Sequence, residues 1–256
     1  MSTSPQSPFS EPVFDPITRS MSTTKRVLVV LAILLGVLLV GRGLIATLVL
    51  PTVTVATQAT GQLQSEYHLK QIGEALRNYH SVFGKLPPAY TTDAAGKPLH
   101  SWRVLLLPYL EEVRLYDRFD LKQSWDSPAN RALAQPMPEV YHSPLYEQPG
   151  TDRTRYLSVR AAQSAFPGPR SLRLEEFIDG TASTVAVVEF THKAVIWTQP
   201  NDAEPADFYA AIHAGNPLGI VALMVDGTVT ALPPATSQAN LDALMTRNGG
   251  DAVSPH

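Results

Sequence analysis

Histidine is the side chain in this sequence best suited to metal binding or proton transfer, and its seven copies are widely scattered. No two are four residues apart, the helical spacing that aims two imidazoles at one metal ion. Cysteine is absent, which excludes thiolate metal sites, disulfide bonds and cysteine nucleophiles. His213, shortly before the last predicted hairpin, is the one histidine whose position suggests a site. We expect surface or hydrogen-bonded roles for the others: His68, His80, His100, His142, His192 and His256.

Carboxylates in pairs are the second candidate chemistry. Glu111-Glu112 and Glu175-Glu176 are adjacent, and adjacent positions of a helix do not face each other, so acid–base pairing is poorly supported. Asp179-Gly180 and Asp226-Gly227 resemble fragments of calcium loops but lack the alternating ligands that Ca²⁺ requires, and tight turns explain both. Nucleophile-elbow, zinc-protease and phosphate-loop motifs are also missing. The sequence therefore predicts no catalytic residue, no metal site and no cofactor.

The overall composition excludes further classes of protein. The 256 residues carry 20 Lys+Arg and 23 Asp+Glu, and this net charge of −3 leaves no basic surface on the scale that nucleic-acid binding needs. Hydrophobic residues make up 44%, too many for a disordered chain. They are unevenly spread, and the longest apolar run lies near the N-terminus.

That run comprises residues 27–50, VLVVLAILLGVLLVGRGLIATLVL, and its single charge is Arg42. A helix of this length is about 36 Å long, enough to cross a hydrocarbon core of roughly 30 Å. Arg42 costs about 2.5–3.5 kcal/mol at the bilayer centre, but the Leu, Ile and Val residues together contribute roughly −5 to −10 kcal/mol. The run predicts an uncleaved transmembrane signal anchor. A cleaved signal peptide is the alternative, although the run is longer than the usual stretch of about 7–15 residues.

The charges that flank this segment predict its orientation. Arg19, Lys25 and Arg26 precede it, whereas the first positive charge after it is Lys70. The positive-inside rule therefore places the N-terminus in the cytoplasm. We expect a protein of the cytoplasmic (inner) membrane with a disordered cytoplasmic tail at 1–26, a transmembrane helix at 27–50 and an exported domain at 58–256. Its expected partners are the lipid bilayer through 27–50, envelope proteins or further copies of the chain, and not nucleic acid.

The exported domain is predicted to begin with an amphipathic helix. Its apolar residues recur at spacings of three and four up to a stop at Gly84: Leu69, Ile72, Leu76, Tyr79 and Phe83. Before it, Pro51 and the β-branched run 52–57 predict a kink or short linker. After it, residues 101–112 predict a second helix with Ser101 as its N-cap and a bend or end at Pro108.

Strand patterns dominate the second half of the chain, at 154–159, 183–190, 194–198, 219–225 and 228–232. Asp226-Gly227 between the last two predicts a tight hairpin turn. A final helix is expected at 237–248, closed by Gly249. A helix followed by neighbouring strands with short connections predicts an α+β domain with an antiparallel sheet.

Five segments, in order along the chain, resemble a known family: 68–90, 96–130, 177–190, 197–202 and 213–233. The resemblance is to pilin-derived bacterial envelope proteins of unknown function, described as type II secretion G-like, with a C-terminal H-x9-DG motif. It implies a pilin-like fold in which an N-terminal membrane helix continues into an amphipathic helix packed on an antiparallel β-sheet. It also marks family-motif positions of unknown role: Asp179, Gly180, Trp197, His213, Asp226 and Gly227.

The sequence departs from that family in two places. Pseudopilins carry a Gly-Phe leader junction and a Glu shortly after it, whereas here no acidic residue lies between Asp15 and Glu66. His213 and Asp226 are separated by 12 residues rather than nine. We therefore expect a single-pass, non-enzymatic envelope protein with a pseudopilin-like exported domain in a structural or interaction role. The alternatives are a pseudopilin subunit of a secretion or pilus-like assembly, and an exported ligand-binding domain or enzyme acting on envelope polymers near His213 and Asp226.

Overall fold

The computed structural model describes residues 23–44, 50–144, 152–214, 216 and 218–250. The chain divides into an N-terminal unit that ends at Val55 and a C-terminal unit that begins at Ala56. Three predictions fall partly or wholly outside the described residues: the tail up to residue 22, positions 45–49 of the predicted span, and His256.

The N-terminal unit contains a long apolar helix, α1 (Thr23–Leu44). It begins four residues before Val27, because Thr23 to Arg26 carry no helix-breaking residue and continue the same turn pattern. Between Thr23 and Val40 it is long and apolar enough to cross a membrane, a property that signal sequences share. Described side chains of this stretch are exposed along its whole length.

The second helix, α2 (Leu50–Phe83), includes residues 51–57, so the short linker predicted there was wrong. Pro51 lies in the first turn of α2, where proline is tolerated because the N–H it lacks would have no partner there. Each β-branched residue that follows makes a helix less stable than alanine would by only a few tenths of a kcal/mol, and the helix continues in spite of that cost. The predicted stop is confirmed, since the Gly84 N–H donates to the His80 carbonyl at 2.7 Å and the helix ends at Phe83.

The remaining elements confirm an α+β chain with antiparallel sheets. β5 (Val185–Glu189), β7 (Ile220–Met224) and β8 (Val229–Leu232) extend a sheet that starts at β4 (Tyr156–Leu157), in the order β4-β5-β7-β8. Two further two-stranded antiparallel sheets are present: the hairpin of β1 (Tyr90–Thr92) with β2 (Pro98–Ser101), and β3 (Arg153–Thr154) with β6 (Val195–Ile196), which β4 and β5 separate in the chain. The other helices are α3 (Trp102–Leu105), α4 (Val113–Tyr116), α5 (Pro128–Ala132), α6 (Pro205–Ile212) and α7 (Gln238–Met245).

Helices cover both faces of the four-stranded sheet. One face contributes Val187, Val221 and Leu223 to a core shared with Leu69 and Ile72 of α2. The other face contributes side chains to a second core with α6 and α7: Val185, Val188, Ile220, Ala222 and Met224. Every residue of β5 and β7 is therefore buried, as their near-continuous apolar sequences require.

Two features of this second layer differ from the sequence predictions. Helix α6 was not predicted at all, and the final helix ends at Met245 rather than near Gly249. The early end has a tertiary cause. The Arg247 N–H donates to the Gln163 carbonyl, and its guanidinium donates to the carbonyls of Ala162 and Ser164. These hydrogen bonds hold the chain after Thr246 in a non-helical path, so the helix ends before it.

Candidate functional site

The two Asp-Gly pairs that the sequence predicts as motif positions lie next to each other at one end of the large sheet. The Asp226 N–H donates to the Thr181 carbonyl at 3.2 Å, which joins the β7–β8 hairpin to the turn after Asp179-Gly180. The Asp226 carboxylate accepts hydrogen bonds from its own turn, from the Thr228 N–H at 2.8 Å and from the Thr228 hydroxyl at 2.9 Å. Gly227 has φ of +93°, the left-handed backbone that the hairpin needs.

Asp179 binds the C-terminal segment that includes Gly249 and Gly250 to this end of the sheet through hydrogen bonds. Its buried carboxylate accepts bonds from the Gly249 N–H at 2.6 Å and the Gly250 N–H at 2.8 Å. Its own N–H donates to the Arg247 carbonyl at 3.1 Å. The Gly180 carbonyl accepts from the Thr184 hydroxyl at 3.1 Å, which closes the turn before β5. Both motif aspartates are thus bound by backbone and hydroxyl donors of the fold.

Helix α2 makes a close approach to the hairpin turn. A Cβ atom added to Gly73 would lie 2.9 Å from Leu223 Cδ1 and 3.4 Å from the Gly227 Cα. Only glycine lets the helix axis come this near to the turn without displacing Leu223. Helix α2 therefore packs directly against the Asp226-Gly227 turn.

The remaining motif positions, His213 and Trp197, lie apart from this end. His213 is an exposed residue directly after α6, and the whole of β7 separates it in the chain from Asp226. No contact joins those two side chains in the described structure. Trp197 is fully buried, donates its indole N–H to the Ala134 carbonyl at 2.8 Å and stacks on Tyr141 at 5.8 Å between ring centres. Its role is core packing.

A buried ion pair that the sequence analysis missed joins α3 to the segment after β6. The Arg103 guanidinium lies 2.5 Å from Asp202 Oδ1, and both side chains are almost completely excluded from solvent. The same oxygen accepts from the Trp102 indole at 3.3 Å and the Ser158 N–H at 3.0 Å. Burial raises the pKa of the Asp202 carboxyl, and the Arg103 charge acts in the opposite direction. The Arg103 guanidinium and the Asp202 carboxylate are bound by several parts of the core, so the pair holds the fold together.

A second buried carboxylate, Glu189 at the end of β5, was also missed. Only 4% of its surface is exposed, and its Oε1 accepts from the Ser65 hydroxyl at 2.8 Å and the Ser143 hydroxyl at 2.5 Å. Burial raises the pKa of this carboxyl, and the two hydroxyl bonds oppose the rise. The three residues connect β5, α2 and the segment after residue 141. The signal in the sequence was a glutamate that ends an unbroken apolar strand, VAVVE.

Glu189 also lines a small cavity of about 10 Å³, together with Gln62, Thr191, Asn216, Gly219, Ile220 and Val221. The Oε1 of Gln62 is buried and has no hydrogen-bond partner among the described residues. Gly219 closes one wall with φ of +77°, and a Cβ there would lie 2.1 Å from the Leu232 carbonyl oxygen. The cavity is thus small, partly open to solvent and adjacent to a buried acid.

A wider, open groove of about 510 Å³ lies between α4 and the segment 136–139. Its floor includes Leu115 and Met137, and the exposed side chains of Arg114 and Arg118 stand on its rim with Glu112 and Glu139. Just before it, Glu111 has φ of +63°, a backbone conformation that no other described non-glycine residue adopts. A groove of this volume is in the range of small-ligand sites.

The described histidines and carboxylates do not form a metal centre, because no group of three or more of them converges. Two buried histidines instead bind backbone carbonyls: the His68 Nδ1 lies 3.0 Å from the His142 oxygen, and the His100 Nε2 lies 3.3 Å from the Asp120 oxygen. Burial lowers the pKa of both imidazoles. They act as hydrogen-bonding core residues.

Comparison with known proteins gives one relationship. The family described as a protein of unknown function (DUF1559), SBP_bac_10, matches residues 56–215. No curated protein and no solved structure matches the chain. The match does not extend to Asp226 and says nothing of type II secretion, so that part of the resemblance stays a prediction. Because the matched segment covers more than half of the sequence, the chain belongs to the DUF1559 family.

Proposed function

We propose that this protein is a single-pass, membrane-anchored envelope protein whose C-terminal unit is exported and acts as a non-enzymatic structural or interaction module. The observation that carries the proposal is the surface of α1. Its described Val, Leu and Ile side chains from Val27 to Val40 are each more than half exposed. A continuous apolar surface of this size is unfavourable in water and favourable in a lipid bilayer.

The charges next to α1 support its orientation. Lys25 is exposed at the start of α1, with Arg26 beside it in sequence, and no further cation follows the helix before Lys70. Excess positive charge stays on the cytoplasmic side, so we place the N-terminus inside and the C-terminal unit outside the inner membrane. An exported domain without cysteine relies on packing rather than on disulfide bonds, and the two cores described above supply that packing.

The contacts of the polar residues support a non-enzymatic role. The groups with the chemistry of a catalytic site are Asp179, Glu189, Asp202 and Asp226, and each is engaged by donors of the fold. His213, the histidine singled out by its position, is exposed and has no carboxylate partner among the described residues. General acid–base catalysis needs a base held by a partner near a substrate pocket.

The cysteine-free chain permits a direct test of topology. In intact spheroplasts, a membrane-impermeant maleimide should label Lys122→Cys, an exposed position of the C-terminal unit, and should label Ser7→Cys only after permeabilisation. Alkaline carbonate should leave the protein in the membrane fraction. Labelling of Ser7→Cys in intact spheroplasts, or release by carbonate, would refute the proposed topology or anchoring.

Processing separates this proposal from a pseudopilin-like role. Co-expression with a prepilin peptidase should leave the intact mass unchanged, because the span lacks the Gly-Phe junction. Single cysteines at Leu34 or Leu38 should give no oligomer ladder on cross-linking in membranes. A mass loss that maps next to Lys25, together with such ladders, would favour the pseudopilin alternative.

The groove beside α4 favours a second candidate function, an exported ligand-binding domain. The cations Arg114 and Arg118 and the carboxylates Glu112 and Glu139 line the groove together with apolar residues, which suits a ligand that carries both carboxylates and amines, as peptidoglycan fragments do. The full chain in detergent should melt higher with soluble muropeptides, and Arg114→Ala with Arg118→Ala should remove the shift. An unchanged melting temperature across a muropeptide panel would contradict this second function.

A further inference from the structure

The small cavity beside Glu189 has the composition of a cation site. We propose that it binds one alkali-metal cation, held by the Glu189 carboxylate and by neutral oxygens that include Gln62 Oε1. The inference is independent of where the protein resides, because every group it uses lies within the C-terminal unit.

The first argument is charge. Glu189 is buried, and no lysine, arginine or histidine nitrogen lies within ion-pair distance of it among the described residues. Its direct partners are the hydroxyls of Ser65 and Ser143, which are neutral, and both donate to Oε1 rather than to Oε2. Arg155 acts on it only as a more distant charge. Buried carboxylates are normally paired, protonated or bound to a cation, and among the described residues this one has no ionic partner.

The second argument is the orphaned oxygen. Gln62 lines the same cavity, and its Oε1 is buried and lacks a hydrogen-bond partner within the described part of the chain. The Nε2 of this amide donates a hydrogen bond to Glu66 Oε1 at 3.5 Å, so the oxygen is the atom of the amide that lacks a partner. A buried oxygen acceptor beside a carboxylate needs a donor or a cation, and hard cations take oxygen ligands.

The third argument is size. The cavity volume of about 10 Å³ is close to the roughly 10–15 Å³ that one water molecule requires. A cation without most of its hydration shell fits this space, whereas an organic ligand does not.

The number of charges selects a monovalent ion. A single carboxylate neutralises one positive charge, and Arg155 already adds positive potential nearby. A divalent ion would leave excess charge in a buried location, and Ca²⁺ sites usually combine several carboxylates. The ion would connect α2, β5 and the loop before β7, so its binding should stabilise the fold.

The test compares salts at equal ionic strength. Full-length protein in detergent at pH 8 is melted in NaCl, KCl or choline chloride, and ²³Na line widths report direct binding. We expect Na⁺ or K⁺ to raise the melting temperature by about 3 °C or more in a saturable way, relative to choline. The ²³Na signal should broaden with the wild type. Glu189→Gln should lose both effects, and the matched control Glu175→Gln, at an exposed position, should keep them.

A second variant keeps the proposal testable if Glu189→Gln folds poorly. Gln62→Met removes the neutral oxygen at similar length and should raise the concentration of cation that gives half the shift by tenfold or more. Equal melting in choline, Na⁺ and K⁺ would overturn the proposal. A response that survives in Glu189→Gln would also overturn it, and saturable stabilisation by CaCl₂ alone would overturn the monovalent assignment.

Discussion

Removal of the Arg103 charge should strongly destabilise the folded C-terminal unit, because it leaves the Asp202 carboxylate buried and uncompensated. Arg103 is fully buried and donates to Asp202 at 2.5 Å, to the Ser101 hydroxyl at 2.6 Å and to the Tyr156 carbonyl at 3.1 Å. Breaking a buried pair from one side costs about 3–5 kcal/mol. That is a large share of the about 5–15 kcal/mol that stabilises an ordinary domain.

The expected change is measurable as a melting temperature. For a unit of this size, each kcal/mol shifts the midpoint by about 2–4 °C, so Arg103→Met should melt roughly 6–20 °C below the wild type. The matched control is Arg160→Met, whose exposed pair with Glu204 is worth about 0–1 kcal/mol. Circular dichroism melts of the full chain in detergent compare the two variants.

A double variant tests whether the charge itself causes the loss. Arg103→Met with Asp202→Asn removes the uncompensated charge and keeps an oxygen that can accept from Trp102 and Ser158. It should melt higher than Arg103→Met alone. If it melts no higher, or if Arg103→Met costs no more than Arg160→Met, the buried-charge argument is wrong and Arg103 contributes only packing.

Three further substitutions probe the remaining contacts. Gly73→Ala should cost up to about 2 kcal/mol in urea unfolding, because displacing the buried Leu223 Cδ1, 2.9 Å from the new Cβ, costs about 1–3 kcal/mol while the higher helix propensity of alanine returns about 0.5–1 kcal/mol. In choline buffer, Glu189→Gln should melt at or above the wild type at pH 8 and should lose that advantage near pH 4. Burial raises the pKa of the Glu189 carboxyl, so its ionisation destabilises the fold as the pH rises through the pKa of the folded state. Asp179→Ala should cost about 1–3 kcal/mol and speed amide exchange at Gly249 and Gly250, which lose their acceptor.

Local patterns predicted the elements whose signals are complete in the sequence. The apolar spacing from Leu69 to Tyr79 identified the buried face of α2, and Asp226-Gly227 identified the β7–β8 hairpin. Ser101 caps α3 as expected, since its hydroxyl accepts from the Arg103 N–H. These features depend on residues within a few positions of one another, so periodicity and turn chemistry suffice.

The missed elements depend on weaker or distant signals. Helix α6 has only eight residues and begins at Glu204-Pro205, without the Ser or Thr cap that marks α3 and α7; Asp207 accepts from the Glu204 N–H instead. The Glu189 cluster joins residues 124 and 46 positions apart, and the Arg103–Asp202 pair spans 99 positions. A single sequence can show a charged residue within or at the end of an apolar run, but it does not show which distant residues bind that charge.

The close contact at Gly73 connects the Asp226-Gly227 turn to the proposed cation cavity through α2. Helix α2 carries Gly73 against Gly227, and eight residues earlier, about 12 Å along its axis, it presents Ser65 to Glu189. Gln62 lies one turn further toward the N-terminus and lines the cavity. A helix transmits a displacement along its axis because its backbone bonds are short-range and stiff, so moving α2 off the turn should also pull Ser65 and Gln62 from Glu189. On this reasoning the Asp226-Gly227 turn acts on the cavity by positioning α2, although neither residue lines it.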